Sequence, residues 1–200
     1  MAGKLFVISG PSGAGKGSIV EKLLAKNDRL YFSVSATTRP KRDYETDGRE
    51  YFFVSREEFL DRIEKGKMLE WAEFAGNYYG TPAGPVDEKL EAGYDVILDV
   101  ETHGMYSVKA MRPEAVTMFV YPPSFAELER RLRKRQSETE ERIRSRLEQS
   151  RQECTHARDY DYIIINDDLD IAAAETAAVM LAEKCRTADR LHILKEDETL

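Results

Sequence analysis

The pattern of apolar and polar positions predicts an α/β protein. An apolar run over 5–8 is followed by a glycine-rich loop and then by a segment whose Ile19, Val20 and Leu23 fall on one helical face. After a strand over 30–34 and an interruption, the rhythm returns as a helix over 86–91, a strand over 95–100, a helix around 106–111 and a strand over 116–120. Alternation of this kind predicts a parallel sheet that is covered by helices on both faces.

Residues 35–83 break this rhythm and predict an inserted lobe of strands with one helix. A short strand over 51–54 precedes Ser55 and Glu58, which form a capping box for a helix that ends near Gly66. That helix is expected to turn Phe59, Leu60 and Ile63 inward. An extended stretch over 68–75 then turns at Gly76-Asn77, continues through 78–81 and is interrupted by Pro82 and Pro85.

The last third of the chain predicts three further elements. Ser124 and Glu127 form a second capping box, for a helix with Phe125, Leu128 and Leu132 on one face. A final strand over 162–165 leads through Asn166-Asp167-Asp168 into an alanine-rich helix that ends at about residue 186.

Composition and charge narrow the classes of function. With 42% hydrophobic and 34% charged residues in 200, the chain can bury one substantial core with an inserted lobe. The net charge of −7 argues against broad binding of nucleic acid or acidic membranes, so clustered basic residues are better explained by small anions. Short apolar runs and the direct entry of residues 1–4 into a strand lead us to expect a cytoplasmic protein, with Cys154 and Cys185 reduced.

The glycine-rich loop predicts a site for nucleotide phosphates. It consists of Gly10, Pro11, Ser12, Gly13, Ala14, Gly15, Lys16, Gly17 and Ser18. In a GxxxxGK loop between strand and helix, backbone N–H groups and the positive helix end converge on phosphate, and the lysine reaches further oxygens. The alternative is a turn that only links strand to helix. Gly17 stands where many such loops have a Mg²⁺-binding hydroxyl, which here comes one residue later, at Ser18.

Two basic segments are candidates for further phosphate contacts. Arg39, Lys41 and Arg42 lie near the hydroxyls of 35–38, either as a second phosphate site or as a solvated loop. Residues 130–146 hold eight positive charges, at Arg130, Arg131, Arg133, Lys134, Arg135, Arg142, Arg144 and Arg146. Part of this segment is expected to form a solvated helical hairpin with i,i+4 ion pairs, and part to neutralise a transferring phosphoryl group.

Polar side chains at strand ends are further candidates. Asp99 and Glu101 lie at the carboxyl end of a parallel strand, where open α/β sheets bind ligands, and Glu70 lies in the insert. Each of them could instead cap a turn or face water. The sequence does not decide whether His103 is a site residue, or whether 166–168 contact adenine or only cap the following helix.

Taken together, these motifs resemble guanylate kinase over residues 3–186. The matching segments are GPSGAGK at 10–16, SVSATTRPKR at 33–42, DGREYFF at 47–53, EWA at 70–72, GNYYGT at 76–81, RLRKR at 131–135 and INDDL at 165–169. The resemblance implies a P-loop core that holds ATP, over 1–34, 84–123 and 157–200. It also implies a GMP-binding lobe over 35–83 and a helical lid over 124–156.

The resemblance also implies roles for single residues. The GMP phosphate is expected to contact Arg39, Arg42, Tyr51 and Tyr79. Guanine is expected to contact Ser35, Glu70 and Thr81, with Asp99 and Glu101 nearby. Lys16, Arg39, Arg131, Arg135 and Arg146 are the expected catalytic residues, and Asn166 is expected at the ATP site. Mg²⁺ is expected to be held mainly by the ATP phosphates, within reach of Ser18 or Asp99.

The implied reaction is MgATP + GMP giving ADP + GDP. The sequence does not predict whether dGMP is also an acceptor. The family usually has Asp and Gln where this chain has Glu101 and His103. Two other functions stay open at this point: a nucleoside monophosphate kinase that prefers another base, and a kinase-like scaffold domain without catalysis. The intact Gly15-Lys16 pair and the arginines argue against the scaffold, and the sequence does not predict an oligomeric state.

Overall fold

The computed structural model describes residues 2–134 and 139–195. Its strands are β1 (Leu5–Ser9), β2 (Leu30–Phe32), β3 (Ala36–Thr37), β4 (Phe52–Phe53), β5 (Met68–Phe74), β6 (Asn77–Pro82), β7 (Asp95–Asp99), β8 (Val116–Tyr121) and β9 (Tyr162–Ile165). Its helices are α1 (Lys16–Leu24), α2 (Arg56–Glu64), α3 (Ala83–Glu91), α4 (Thr102–Met111), α5 (Phe125–Lys134), α6 (Glu140–Thr155), α7 (Leu169–Lys184) and α8 (Thr187–Lys195), with a 3₁₀ turn at Ala157–Asp159.

The core is a parallel sheet in the order β2-β7-β1-β8-β9. Successive side chains of β1 point to opposite faces, so Phe6 and Ile8 join one apolar cluster with residues of α1 and α7. Leu5 and Val7 join the other cluster, with residues of α3 and α4. The predicted α/β core with helices on both faces is confirmed. Because all its strands are parallel, β1 and β7 present their carboxyl ends at the same edge.

The inserted segment forms a second sheet, in the order β4-β3-β6-β5. β5 and β6 are an antiparallel hairpin whose turn places Ala75 and Gly76 at φ of 48° and 76°, as a two-residue type I′ turn requires. Helix α2 covers this sheet and buries Phe59, whose ring stacks on Tyr78 with centroids 5.5 Å apart. The lobe therefore has a small core of its own.

Several predicted boundaries were wrong. Helix α3 begins at Ala83 and not at residue 86, because Pro85 lies in the first helical turn, where its missing N–H has no helical partner to lose. Helix α4 begins at Thr102, directly after Glu101, and not near residue 106. Strand β2 ends at Phe32, two residues early, and β8 continues to Tyr121.

The inward face of α2 was predicted correctly for Phe59 and Ile63, which pack into the core of the lobe, but wrongly for Leu60. Phe59 is fully buried, but Leu60 is 42% exposed. The two residues are adjacent, so they stand about 100° apart around the helix and only one faces the sheet. The capping interaction itself is confirmed, since Ser55 accepts a hydrogen bond from the N–H of Glu58.

Helices α5 and α6 form a hairpin beside the core. Arg133 joins them, because its guanidinium donates to Glu129 within α5 and to Glu140 at the start of α6. The hydroxyl of Ser124 accepts from the N–H of Glu127, as predicted, but the Glu127 carboxylate turns to arginines and does not return to Ser124. In the ranges 2–134 and 139–195, no helix has the length and apolar character needed to cross a bilayer.

Candidate active site

The glycine-rich loop folds as a tight cradle between β1 and α1. Gly10 has φ of 140°, and a Cβ there would lie 2.1 Å from the carbonyl oxygen of Val120. Gly15 has φ of 94°, and its Cβ would lie 2.2 Å from the Asn166 amide. Both positions therefore require glycine. Gly15 is also the N-cap of α1, so no side chain covers the first-turn N–H groups, which are the groups that bind phosphate in such loops.

Lys16 lies at the mouth of this cradle. Its Nζ donates to the Gly10 carbonyl over 2.6 Å and lies 3.8 Å from the Asp99 carboxylate at the end of β7. Burial raises the pKa of Asp99, and Lys16 opposes that rise. The lysine charge is thus held between the loop and the sheet edge, in a position to reach phosphate oxygens.

Asn166 supports the loop from the neighbouring strand end. It is only 5% exposed, and its side-chain amide donates to the Ala14 carbonyl over 2.7 Å. Asp168 makes the cap of α7, because its carboxylate accepts from the N–H groups of Asp170 and Ile171. Of the two roles considered for 166–168, the helix cap is therefore present and is made by Asp168. An adenine contact stays a prediction. A cavity of ≈ 280 Å³ opens here, lined by Gly13, Gly15, Ser18, Arg131, Asn166, Asp167 and Leu169.

A second cleft, of ≈ 410 Å³, lies between the inserted lobe and the core. The predicted residues that line it are Ser35, Tyr51, Glu70, Tyr79, Asp99 and Glu101. His103 and Gly104 of α4 also line it. Residues from distant parts of the sequence are therefore brought together at the carboxyl end of β7.

Glu70 is the acidic group on the lobe side of this cleft. It lies opposite Thr81 in the β5–β6 hairpin, and the Thr81 hydroxyl donates to Glu70 Oε1 over 2.6 Å. Burial raises the pKa of Glu70, and the hydrogen bonds from Thr81 partly oppose this. A Cβ on Gly104 would lie 3.2 Å from Glu70 Oε2, so glycine at that position leaves space around the oxygen.

The basic end of the lobe is built around Arg39. Its guanidinium carbon lies 5.5 Å from the centre of the Tyr51 ring and 5.6 Å from that of Phe53. Its nitrogens donate to the carboxylate of Glu45, a residue only 6% exposed. Arg42 donates through its side chain to the Tyr44 hydroxyl over 2.7 Å. Sequence reasoning missed Glu45; the available signal was a pair of carboxylates, Asp43 and Glu45, that follows three basic residues within 39–45.

The hairpin arginines divide into two groups. Arg130 and Arg133 make ion pairs with glutamates of the hairpin, as the solvated-hairpin interpretation predicted. Arg131 donates to Glu127 over 2.7 Å and to the Asn166 carbonyl over 2.9 Å, which places it at the ≈ 280 Å³ cavity beside the loop. Arg146 donates to the Ser12 hydroxyl in the loop. Arg135 lies outside the described residues.

The oxygen-bearing side chains around the loop show how far the protein itself could bind a divalent cation. Among residues 2–134 and 139–195, no group of three or more His, Cys, Asp or Glu side chains is arranged to hold a metal ion. Mg²⁺ in phosphoryl-transfer sites takes only one or two protein carboxylates and otherwise water and substrate phosphates. Two separate oxygen groups are candidates for such a single protein ligand: the partly buried Asp99 carboxylate beside Lys16, or the Ser18 hydroxyl at the other cavity.

Comparisons with known proteins agree with this geometry. The family model for guanylate kinase matches residues 2–183. A guanylate kinase of Desulfitobacterium hafniense is 46% identical over 96% of this chain and 96% of its own. One of Symbiobacterium thermophilum is 49% identical over 92% of this chain and 88% of its own. The crystal structure of guanylate kinase from Anaplasma phagocytophilum superposes with a TM-score of 0.75 at 32% identity, covering 98% of this chain and 95% of the other.

The predicted resemblance, the fold class and the enzyme class are thereby confirmed. The match extends through the loop, the inserted lobe and the helical hairpin, so it is not limited to the phosphate-binding motif. The two relatives are guanylate kinases, and the match covers 96% and 88% of their own lengths. The chain belongs to the guanylate kinase family and transfers a phosphoryl group from ATP to GMP, giving ADP and GDP.

Proposed function

We propose that the two clefts bind the two nucleotides side by side and that transfer occurs directly between them at the end of β7. The observation that carries this proposal is the position of Asp99. Its carboxylate lies 3.8 Å from Lys16 in the loop, and the same residue lines the lobe cleft. One side chain therefore borders both sites, as direct in-line transfer between two bound phosphates requires.

In this proposal the lobe cleft orients GMP. Glu70, with Ser35 and Thr81, binds the guanine edge, and Asp99 and Glu101 border the base. Arg39, Arg42, Tyr51 and Tyr79 bind the phosphate. The Arg39 guanidinium suits this role because its planar fork can donate two parallel hydrogen bonds to a phosphate. Base and phosphate are held at opposite ends, so an oxygen of the GMP phosphate faces the loop.

The glycine-rich loop holds the phosphates of ATP in the proposal. First-turn N–H groups of α1 and the Lys16 ammonium bind their oxygens. Bound Mg²⁺ supplies charge neutralisation at those oxygens, within reach of Asp99 or Ser18. The GMP oxygen forms a bond to the terminal phosphorus while the bond to the bridging oxygen of ADP breaks, so the ADP oxygen leaves with the electron pair.

The helical hairpin supplies the remaining positive charge. Negative charge spreads over the three equatorial oxygens during transfer. Arg131 borders the nucleotide cavity and Arg146 contacts the loop, so both reach this region from the 124–156 segment, which we propose acts as a lid. Arg135 is proposed for the same role from the sequence resemblance alone. The cytoplasmic location also stays a prediction.

A coupled ADP-release assay with GMP, AMP, UMP and CMP tests the base assignment. We expect turnover with GMP and at least about tenfold lower kcat/KM with each of the others, because only guanine presents two adjacent N–H donors to Glu70. A preference for another base would overturn the assignment of the lobe cleft. Absence of ADP release with all four would instead favour a scaffold protein.

A further inference from the structure

Glu45 is a buried carboxylate inside the basic segment that we assign to the GMP phosphate. It is 6% exposed. Its Oε1 accepts from Arg39 Nη2 over 2.7 Å, and its Oε2 accepts from Arg39 Nη1 over 3.0 Å. Oε2 also accepts from the backbone N–H of Arg42 over 2.8 Å. One carboxylate thus contacts both arginines of the proposed phosphate clamp, the first through its guanidinium and the second through its backbone.

These contacts fix the orientation of the Arg39 guanidinium. Two N–H groups donate to Glu45, and a further one donates to the Pro40 carbonyl over 2.8 Å. Tyr51 and Phe53 lie within 5.6 Å of the guanidinium carbon. Of the five N–H groups of an arginine, the two on Nε and Nη2 are left to meet an anion and the nearby Tyr79.

A negative group at a phosphate site has a cost, because it lowers the positive potential that attracts the phosphate. Its benefit is orientation. An arginine side chain that no hydrogen bond fixes loses rotamer freedom when it binds phosphate, and that loss weakens binding. An arginine that is already fixed in the free protein loses less on binding. The buried fork between Glu45 and Arg39 provides this fixation.

The Glu45 carboxylate stays ionised around neutral pH. The hydrogen bond from Arg39 is the main cause that lowers the pKa of Glu45 to about 2. Glu45 in turn is the main cause that raises the pKa of Arg39 above its ordinary value, with a smaller effect from Tyr79. The pair is therefore ionised at neutral pH, and titration does not release Arg39.

We propose that Glu45 is a positioning residue for recognition of the GMP phosphate: it holds the Arg39 guanidinium and the Arg42 backbone in their binding arrangement without itself contacting the nucleotide. This inference rests on the proposed role of Arg39 as a phosphate ligand. It extends the site by one residue that neither the glycine-rich loop nor the guanine pocket contains.

The test compares GMP with guanosine, which lacks the phosphate. We expect Glu45→Gln to weaken calorimetric binding of GMP roughly 10- to 100-fold, the range over which loss of an orienting partner acts at metal sites. Guanosine affinity should change less than about twofold, because the base and ribose contacts are intact. In steady state, KM for GMP should rise while KM for ATP stays unchanged, a split that general damage to the fold would not produce.

Glu50→Gln is the matched control. Glu50 lies in the same loop, where its carboxylate accepts from the backbone N–H of Thr46 over 2.6 Å and pairs with Arg49. This variant should bind GMP as the wild type does. Glu45→Asp is the second variant, used if Glu45→Gln does not fold. It keeps the charge but is too short to reach both nitrogens, so the same phosphate-specific loss is expected.

Arg39→Ala separates failure of this inference from failure of the proposed site. If Arg39→Ala leaves GMP affinity unchanged, the clamp itself is wrong. If Arg39→Ala weakens GMP binding but the Glu45 variants do not, or if they weaken guanosine equally, the positioning role is overturned and the clamp stands. We expect Glu45→Gln to add less than about twofold in the Arg39→Ala background, since both changes remove the Glu45–Arg39 contact and the glutamine oxygen can still accept from the Arg42 N–H.

Discussion

Replacement of Glu70 by glutamine tests whether the Glu70 carboxylate recognises guanine. In the structure, Oε1 accepts from the Thr81 hydroxyl over 2.6 Å, and Oε2 lies beside the space that Gly104 leaves open. An ionised carboxylate can accept both adjacent donors of guanine, N1–H and N2–H₂. Glutamine has nearly the same shape, but its carbonyl oxygen is still bound by Thr81. Its NH₂ group then faces a donor of the base, so one hydrogen bond is lost and two donors oppose each other.

The size of this loss follows from the kind of hydrogen bond that is removed. Hydrogen bonds to charged groups contribute about 1.5–3 kcal/mol, and a buried donor left without a partner costs a similar amount. At about 1.4 kcal/mol for each factor of ten, Glu70→Gln should lower kcat/KM for GMP by about 10- to 150-fold. Adenine has an acceptor at N1, which the new NH₂ group can meet. The value for AMP should therefore stay the same or rise.

The assay is ADP release with GMP and with AMP, in wild type and variant. Glu73→Gln is the control, because Glu73 lies on the same strand and lines the same cleft but has no hydrogen bond to Thr81 among the described residues. We expect the GMP/AMP ratio of kcat/KM to fall only in Glu70→Gln. An unchanged ratio would show that Glu70 is a structural residue of β5 and that guanine is read elsewhere in the cleft.

The same substitution has an expected effect on stability. Burial raises the pKa of Glu70 in the folded protein, so its ionised form lowers the free energy of unfolding. The stability linked to this group is complete below its unfolded pKa of about 4.3 and is lost as the pH rises through the folded value. Glu70→Gln should therefore raise Tm at about pH 7.5 and leave it little changed at about pH 4. A lower Tm of the variant at neutral pH would contradict this reasoning.

Three further outcomes are expected. Lys16→Ala should lower kcat on the order of 10²- to 10³-fold with the fold intact, because it removes positive charge at the reacting phosphates. Lys22→Ala, which removes only an exposed ion pair with Asp170, should leave kcat unchanged. Near wild-type turnover of the Lys16 variant would refute the loop assignment. Amides of α5 and α6 should gain protection from hydrogen exchange only when a two-nucleotide inhibitor is bound; equal protection with and without it would argue against a lid. Asp168→Ala should lower the free energy of unfolding by about 1 kcal/mol through loss of the α7 cap, and an unchanged Tm would contradict the observed capping bonds.

The sequence predicted the elements that depend on local pattern. The order of strands and helices in the core, the inserted lobe and the glycine-rich loop followed from periodicity and from glycine spacing. Ser55 and Ser124 were predicted as caps because capping depends on residues three positions apart. Such features are visible in a single chain because their partners are close in sequence.

Features that depend on packing could not be predicted in the same way. Glu45 lies among exposed basic residues in the sequence, and its burial depends on how the lobe folds over Arg39. Asn166 contacts Ala14, 152 positions away, and no local pattern indicates such a pair. The start of α3 at Ala83, before Pro85, was missed. In the sequence alone, a proline in the first turn of a helix resembles a proline that ends one.

In the proposed arrangement, the loop and the lobe cleft hold the two nucleotides with their phosphates facing each other at the end of β7. A crystal structure of the protein with an inhibitor that joins guanosine and adenosine through phosphates tests it directly. We expect the guanine edge on Glu70, the guanosine-side phosphate within hydrogen-bonding distance of Arg39 and Arg42, and the adenosine-side phosphates at Lys16. Guanosine bound outside the cleft of Glu70 and Tyr79, or the two nucleotides bound in exchanged positions, would contradict it.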